Sequence, residues 1–72
     1  PNKHLTSVNS ATDADQALLG KLLLKANQIA ADQGLADGGF RYVINTGSDG
    51  GQTVAHLHLH ILGGRSLSWP PG

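Results

Sequence analysis

An α+β fold with an antiparallel sheet is the class that this sequence predicts, and three observations predict it. One stretch repeats apolar residues at helical spacing, two later stretches have the composition of strands, and a glycine-rich loop separates those strands. The 72 residues can hold one small domain at most. We therefore expect one long helix, two strands and an extended C-terminal tail.

The helix is predicted over roughly residues 12 to 33. Thr12 or Ser10 can begin it, because a hydroxyl can accept a hydrogen bond from a free backbone N–H at a helix start. Gly34 can end it, since glycine readily adopts the left-handed conformation that closes helices. Apolar side chains three and four residues apart form one stripe: Leu19, Leu22, Leu23, Ala26, Ile29 and Ala30.

The two strands are predicted over residues 40–45 and 53–62, with the loop 46–52 between them. The first strand is rich in aromatic and β-branched residues, and the loop contains three glycines. Gly63 and Gly64 end the second strand. The tail after them closes on Pro70 and Pro71, which can join neither a helix interior nor a central strand.

Composition excludes several classes of protein. Five basic and five acidic residues cancel, and no basic cluster favours nucleic acid. No apolar run exceeds three residues, so no membrane span is predicted, and the first residues do not resemble a signal peptide. Without cysteine, disulfides and thiolate metal sites are excluded. We expect a cytoplasmic protein without a cofactor.

Three histidines in strict alternation carry the candidate chemistry. In a strand, His56, His58 and His60 would share one face, with the apolar residues at 55, 57, 59 and 61 on the other. Such a row can consist simply of exposed polar residues, can chelate a transition metal, or can supply a nucleophile and proton donors. The metal interpretation is the weaker one, because Asp49 is the only carboxylate near the row and can equally be a turn former.

The residues around the loop admit two interpretations each. Backbone N–H groups from Gly50 to Thr53 could bind an anion closely, or the loop could be an ordinary connection between strands. Asn45 could contact a substrate or brace the loop. The sequence alone separates neither pair.

The sequence resembles the histidine-triad (HIT) superfamily. His56-Leu57-His58-Leu59-His60-Ile61-Leu62 matches its signature of histidines alternating with apolar residues. The segments 45–54, 62–65 and Trp69-Pro70-Pro71-Gly72 are similar to the Hint branch, the purine nucleoside phosphoramidate hydrolases. The resemblance implies a HIT-like fold of which residues 1–72 are the C-terminal portion, lacking the upstream helix and strands of the family.

That resemblance also implies roles for individual residues. His58 would be the nucleophile that forms a nucleotidyl-histidine intermediate, with His60 contacting the phosphate and His56 supporting the nucleophile. His4 would complete the catalytic group, although its position alone would not suggest this. The implied contacts to a purine nucleotide are made by Asn45, Gly51, Gln52, Thr53 and Trp69. The family needs no metal. The other hypotheses are a non-catalytic nucleotide-binding module and a His-rich metal-binding protein.

Trp69 admits two interpretations as well. The single tryptophan could pack on its own subunit, where burial of a large aromatic side chain stabilises a small core. The resemblance implies instead that the tail crosses a two-fold interface and shapes the neighbouring pocket. We therefore expect a homodimer formed through the helix, the strand and the C-terminal tail.

Overall fold

The computed structural model of the chain describes residues 5–72. Two short 3-10 turns, Val8–Ser10 and Asp13–Asp15, lead into helix α1, Gln16–Asp32. Strands β1, Phe40–Val43, and β2, His60–Gly63, follow and form an antiparallel pair. The predicted α+β class is thus confirmed, with one long helix and two antiparallel strands.

The helix begins through a reciprocal arrangement between Thr12 and Asp15. The carboxylate of Asp15 accepts a hydrogen bond from the backbone N–H of Thr12 at 2.9 Å. Asp15 is only 2% exposed, so this bond is largely shielded from water. The first turn after Thr12 is a 3-10 turn, and the α-helical part starts four residues later than the predicted position. Short 3-10 turns are common at helix starts, where backbone N–H groups still need partners.

The predicted apolar stripe of α1 is only partly buried. Ala26 and Ala30 are buried, whereas Leu23 and Ile29 are each 43% exposed. The polar side of the helix lies in solvent as predicted: Lys21, Lys25, Gln28 and Asp32 are exposed. The two alanines of the stripe are therefore buried, Leu19 and Leu22 are half-buried, and the other two large residues remain exposed.

Gly34 ends the helix in the predicted way. Its φ of +76° lies in the left-handed region, and the N–H of the next residue, Leu35, donates to the carbonyl of Ala30 at 2.9 Å. Leu35 then packs against the strands. A Cβ atom added at Gly63 would lie 3.1 Å from both terminal methyl groups of Leu35. A side chain at position 63 would therefore require Leu35 to shift by a few tenths of an ångström.

Both strands are shorter than predicted. In the paired part, Phe40 lies opposite Gly63 and Val43 opposite His60. β1 ends before Ile44, and residues 53–59 form no ladder with it, because the chain bends at 54–56. The prediction of a continuous strand over residues 53–62 is therefore wrong for its first seven residues.

No helix among residues 5–72 is long and apolar enough to span a bilayer.

Candidate active site

The loop between the strands folds back tightly on itself. Gly47 and Gly51 have φ of +72° and +85°, and a Cβ atom at Gly50 would lie 2.5 Å from the carbonyl oxygen of Thr46. Such backbone geometry strongly favours glycine. The glycines therefore determine the path by which the chain reaches the histidines.

The histidine segment keeps its alternation although most of it is not paired in a sheet. Leu57, Leu59 and Ile61 are half-buried, whereas all three histidines are exposed. The backbone N–H of Leu57 donates to the carbonyl of Leu5 at 2.7 Å, which ties this segment to the N-terminal part of the chain. The predicted separation into an apolar side and a histidine side is thus confirmed for these six residues. It is wrong for Ala55, which was predicted on the apolar side but lies in the bend at 54–56 and is exposed.

The three imidazole rings follow one another at close range. The ring centroids of His56 and His58 are 5.7 Å apart and nearly perpendicular, at 85°. Those of His58 and His60 are 6.4 Å apart and nearly parallel, at 18°. His58 is therefore the central ring, with a second imidazole on each side.

A hydrogen bond determines which nitrogen of His58 carries the proton. Its Nδ1 atom lies 2.5 Å from the backbone carbonyl oxygen of His56. A carbonyl oxygen can only accept, so Nδ1 must donate and carries the hydrogen. In the neutral ring the lone pair then resides on Nε2. His58 thus has the tautomer that a nucleophile attacking through Nε2 requires.

A cavity of about 290 Å³ brings most of the predicted site residues together. Within residues 5–72, no carboxylate lines this cavity, and no three His, Asp or Glu side chains are arranged to hold a metal ion. The described residues that line it are Asn45, Gly51, Gln52, Thr53, Val54, His56, His58 and His60.

Two of the four backbone donors predicted to bind an anion, those of residues 50–53, are occupied. The N–H of Gly51 donates to the carbonyl of Ser48, and that of Gln52 to the carbonyl of Gly47, both at 3.0 Å. The N–H of Thr53 makes no hydrogen bond with a backbone carbonyl of residues 5–72. The N–H of Gly50 makes none with these residues either, so the predicted anion-binding role of the stretch is left to the N–H groups of Gly50 and Thr53.

Asn45 and Gln52 differ in how their amides are used. Asn45 is half-buried and lines the cavity, and its amide nitrogen lies 3.9 Å from the position a Cβ atom would take at Gly51. Its side chain makes no hydrogen bond within the described part of the chain, whereas every polar group of the Gln52 amide does. Of the two predicted roles of Asn45, the contact to a substrate is the one this geometry favours.

The remaining predicted residues lie elsewhere. Trp69 is 81% exposed and does not line the cavity, so packing of the tryptophan on its own subunit is not observed in residues 5–72. His4 lies outside the described residues. Arg41 was not predicted: its guanidinium donates to the carbonyl of Ser68 at 2.9 Å and anchors the tail just before Trp69. A charged residue within an otherwise apolar strand was the signal that could have identified it.

The sequence matches a known protein family. The HIT domain family model matches residues 1–67, and the chain belongs to the HIT domain family. Among its curated relatives is an uncharacterised HIT-like protein from Synechocystis sp., 62% identical over all 72 residues. Another uncharacterised HIT-like protein, from Synechococcus elongatus, is 58% identical over the same length. The chain spans 62% of the length of each of these two relatives.

Solved structures agree with this assignment. A HIT family hydrolase from Legionella pneumophila superposes with a TM-score of 0.95 at 47% identity, over all of this chain and 64% of that one. A histidine triad protein from Clostridium difficile superposes with a TM-score of 0.86 at 41% identity, over 94% of this chain and 59% of that one. The fold is thus the HIT fold.

Proposed function

We propose that this chain carries the active site of a nucleotide hydrolase that cleaves purine nucleoside 5′-phosphoramidates or acyl-nucleotides through His58. The observation that supports this most directly is the bond from Nδ1 of His58 to the carbonyl of His56, which leaves the Nε2 lone pair available. The solved relative from Legionella pneumophila is described as a hydrolase. The choice of phosphoramidates and of purines follows the resemblance to the Hint branch.

The proposed reaction has two steps. In the first, Nε2 of His58 forms a bond to phosphorus while the phosphorus–nitrogen bond of the substrate breaks, and the amine leaves with a proton. A neighbouring imidazole, His56 or His60, can supply that proton because both rings lie within 6.4 Å of the His58 ring, centroid to centroid. In the second, the oxygen of a water molecule bonds to phosphorus while the bond from phosphorus to Nε2 of His58 breaks. The water proton passes to the imidazole that gave up its proton in the first step, and the nucleoside monophosphate and free His58 are released.

The cavity supports binding of a phosphoryl group more than of a whole nucleotide. Its 290 Å³ lies at the lower end of the roughly 300–1,000 Å³ usual for small-molecule sites. The Asn45 amide and the Thr53 N–H are donors that can hold negative charge on the phosphoryl oxygens. We propose that the base and ribose are held by the part of a HIT domain that lies upstream of these residues.

A homodimer is part of this proposal. Trp69 is 81% exposed at the end of a tail anchored by Arg41, so its large apolar surface is available to a second protomer. A partner that buries it would remove that surface from water, which stabilises association. Sedimentation of the intact protein tests this directly. A monomer at every concentration would contradict it.

The experiment for the activity combines turnover with trapping of the intermediate. Intact protein is mixed with adenosine 5′-phosphoramidate, quenched within milliseconds and analysed by mass spectrometry. We expect a nucleotidyl adduct that maps to His58, and turnover that survives exhaustive chelation. Turnover without any adduct would contradict the covalent route. Nucleotide binding without turnover would favour a binding module, and one equivalent of zinc whose removal stops activity would favour a metalloprotein.

A further inference from the structure

The side chain of Gln52 joins three segments of the chain. Its Oε1 accepts a hydrogen bond from the backbone N–H of Gly47 at 2.9 Å. Its Nε2 donates to the carbonyl oxygens of Thr6 and Val54. The amide therefore connects the start of the glycine loop, the segment that leads to the histidines, and the N-terminal part of the chain.

The partners fix the orientation of this amide. Gly47 N–H can only donate, and the two carbonyl oxygens can only accept. Rotating the amide by 180° would place Oε1 against the two carbonyls and Nε2 against an N–H group, so that all three bonds would be lost. Gln52 thus acts in one orientation, with both of its N–H hydrogens in use.

That saturation argues against a direct contact between Gln52 and a phosphate. A phosphoryl oxygen needs a hydrogen-bond donor, and Gln52 has no donor left while it holds Thr6 and Val54. Its remaining capacity is a lone pair on Oε1, which would repel the anion. Gln52 therefore lines the cavity because of where it lies in the chain, and not because it binds a phosphate.

A second link lies on the other side of the bend at 54–56. The N–H of Leu57 donates to the carbonyl of Leu5, the neighbour of Thr6. The N-terminal part thus holds the chain on both sides of the bend, once through Gln52 and once through Leu57. Together the two links set the distance between the loop and His58.

We propose that Gln52 is a positioning residue that places the loop and the Thr53 N–H relative to His58, and that it does not bind the substrate itself. This inference rests on the proposed function, since the geometry it preserves is that of phosphoryl transfer. Loss of the three Gln52 hydrogen bonds should loosen the loop. It should weaken phosphate binding more than it slows the chemical step.

The test is Gln52→Met in the intact protein, with Gln28→Met as the matched control. Methionine is of similar length, adds no charge and removes all three hydrogen bonds; Gln28 is exposed on α1. We expect amide hydrogen exchange at Gly47 to accelerate at least tenfold, because its N–H loses the acceptor Oε1 of Gln52. A change of about tenfold corresponds to the loss of one hydrogen bond. The KM for adenosine phosphoramidate should rise about tenfold and kcat should fall much less. The control should change neither.

Two outcomes overturn the proposal. A raised KM with unchanged Gly47 exchange would make Gln52 a direct substrate ligand, and faster exchange with unchanged KM would make it a structural residue without effect on the site. If the wild-type protein shows no turnover, the proposed function fails separately, and the Kd for adenosine monophosphate replaces KM in the same comparison.

A wild-type measurement covers the case in which the variant does not fold. The two Nε2 protons of Gln52 should exchange with solvent at least tenfold more slowly than those of the exposed Gln28, because both Gln52 protons are hydrogen-bonded. Equal rates for the two side chains would overturn the proposal without any substitution.

Discussion

The loop and histidine segment, residues 45–60, and helix α1 are held in place in different ways. The first region is half-exposed or exposed throughout, yet hydrogen bonds from Gln52, Leu57 and His58 tie it together. Helix α1 has regular backbone bonds and a good C-terminal end, but of its side chains only Ala26 and Ala30 are buried.

The two regions depend on different interactions for their structure. Directional bonds can position a small polar site with little apolar burial, although each contributes only about 0.5–1.5 kcal/mol. A helix gains most of its stability from burying an apolar face. Leu24 is 69% exposed, and a cavity of about 690 Å³ lies between α1 and the segments around Leu5 and Leu57. Substitutions in the first region should therefore alter activity, and those in the second should alter stability.

The largest effect should come from His58→Ala. Removal of the nucleophile should lower kcat by roughly 10³-fold or more, because the covalent route is lost. The melting temperature should stay within about 2 °C, because the exposed ring makes few packing contacts. Turnover of adenosine phosphoramidate and thermal melting of the same preparation test both statements. Retained turnover would remove His58 from the nucleophile role, and a large loss of stability would break the division between the two regions.

Overpacking of the helix should lower stability and leave activity unchanged. Ala30 has no exposed surface, so Ala30→Leu should lower the free energy of unfolding by about 1–3 kcal/mol. Ala31, its exposed neighbour, provides the matched control, since Ala31→Leu adds the same side chain toward solvent. Urea unfolding measures the difference, and kcat should be unchanged in both variants. Equal midpoints would show that the contact surface of α1 lies elsewhere.

The sequence predicted the features of the fold that depend on local signals and missed those that depend on distant partners. The helix and its end at Gly34 were predictable because apolar spacing and a left-handed glycine are local signals. The histidine alternation was predictable too, since side-chain direction alternates in any extended chain. The length of the second strand was not, because a ladder depends on where its partner ends.

The role of Gln52 lay beyond sequence reasoning for a similar reason. One of its carbonyl partners, that of Thr6, is 46 residues away in the chain, and no residue pattern marks a backbone oxygen. The bond from Arg41 to Ser68 spans 27 residues; the charge of Arg41 in an apolar strand marks the residue, but no pattern marks its backbone partner. Family resemblance supplied the list of residues expected near a substrate, but not which of them would bind it and which would position the others.

Two glycines provide a finer test of the helix. Gly20 lies inside α1 with no atom within 4 Å of an added Cβ, so Gly20→Ala should stabilise the protein by about 0.5–1 kcal/mol. Gly34 has equal space but a φ of +76°, so Gly34→Ala should destabilise it by about 1 kcal/mol. Urea unfolding should thus move the midpoint in opposite directions. Two shifts of the same sign would mean that backbone conformation does not govern this helix.

The smallest effect on stability should come from Arg41, although it should be visible in the tail. Arg41→Gln removes one exposed hydrogen bond to Ser68, and we expect the free energy of unfolding to fall by less than about 1 kcal/mol. Arg65→Gln is the control, because within residues 5–72 the Arg65 side chain bonds only the carbonyl of its neighbour Ser66. Trp69 is the single tryptophan, so its fluorescence anisotropy reports on the tail alone. That anisotropy should fall in Arg41→Gln and stay constant in Arg65→Gln.

The concentration dependence of the anisotropy in Arg41→Gln separates two explanations. If the anisotropy recovers as the protein concentration rises, a second protomer holds Trp69, which supports the proposed dimer. If Arg41→Gln leaves the anisotropy unchanged at every concentration, Arg41 does not anchor the tail.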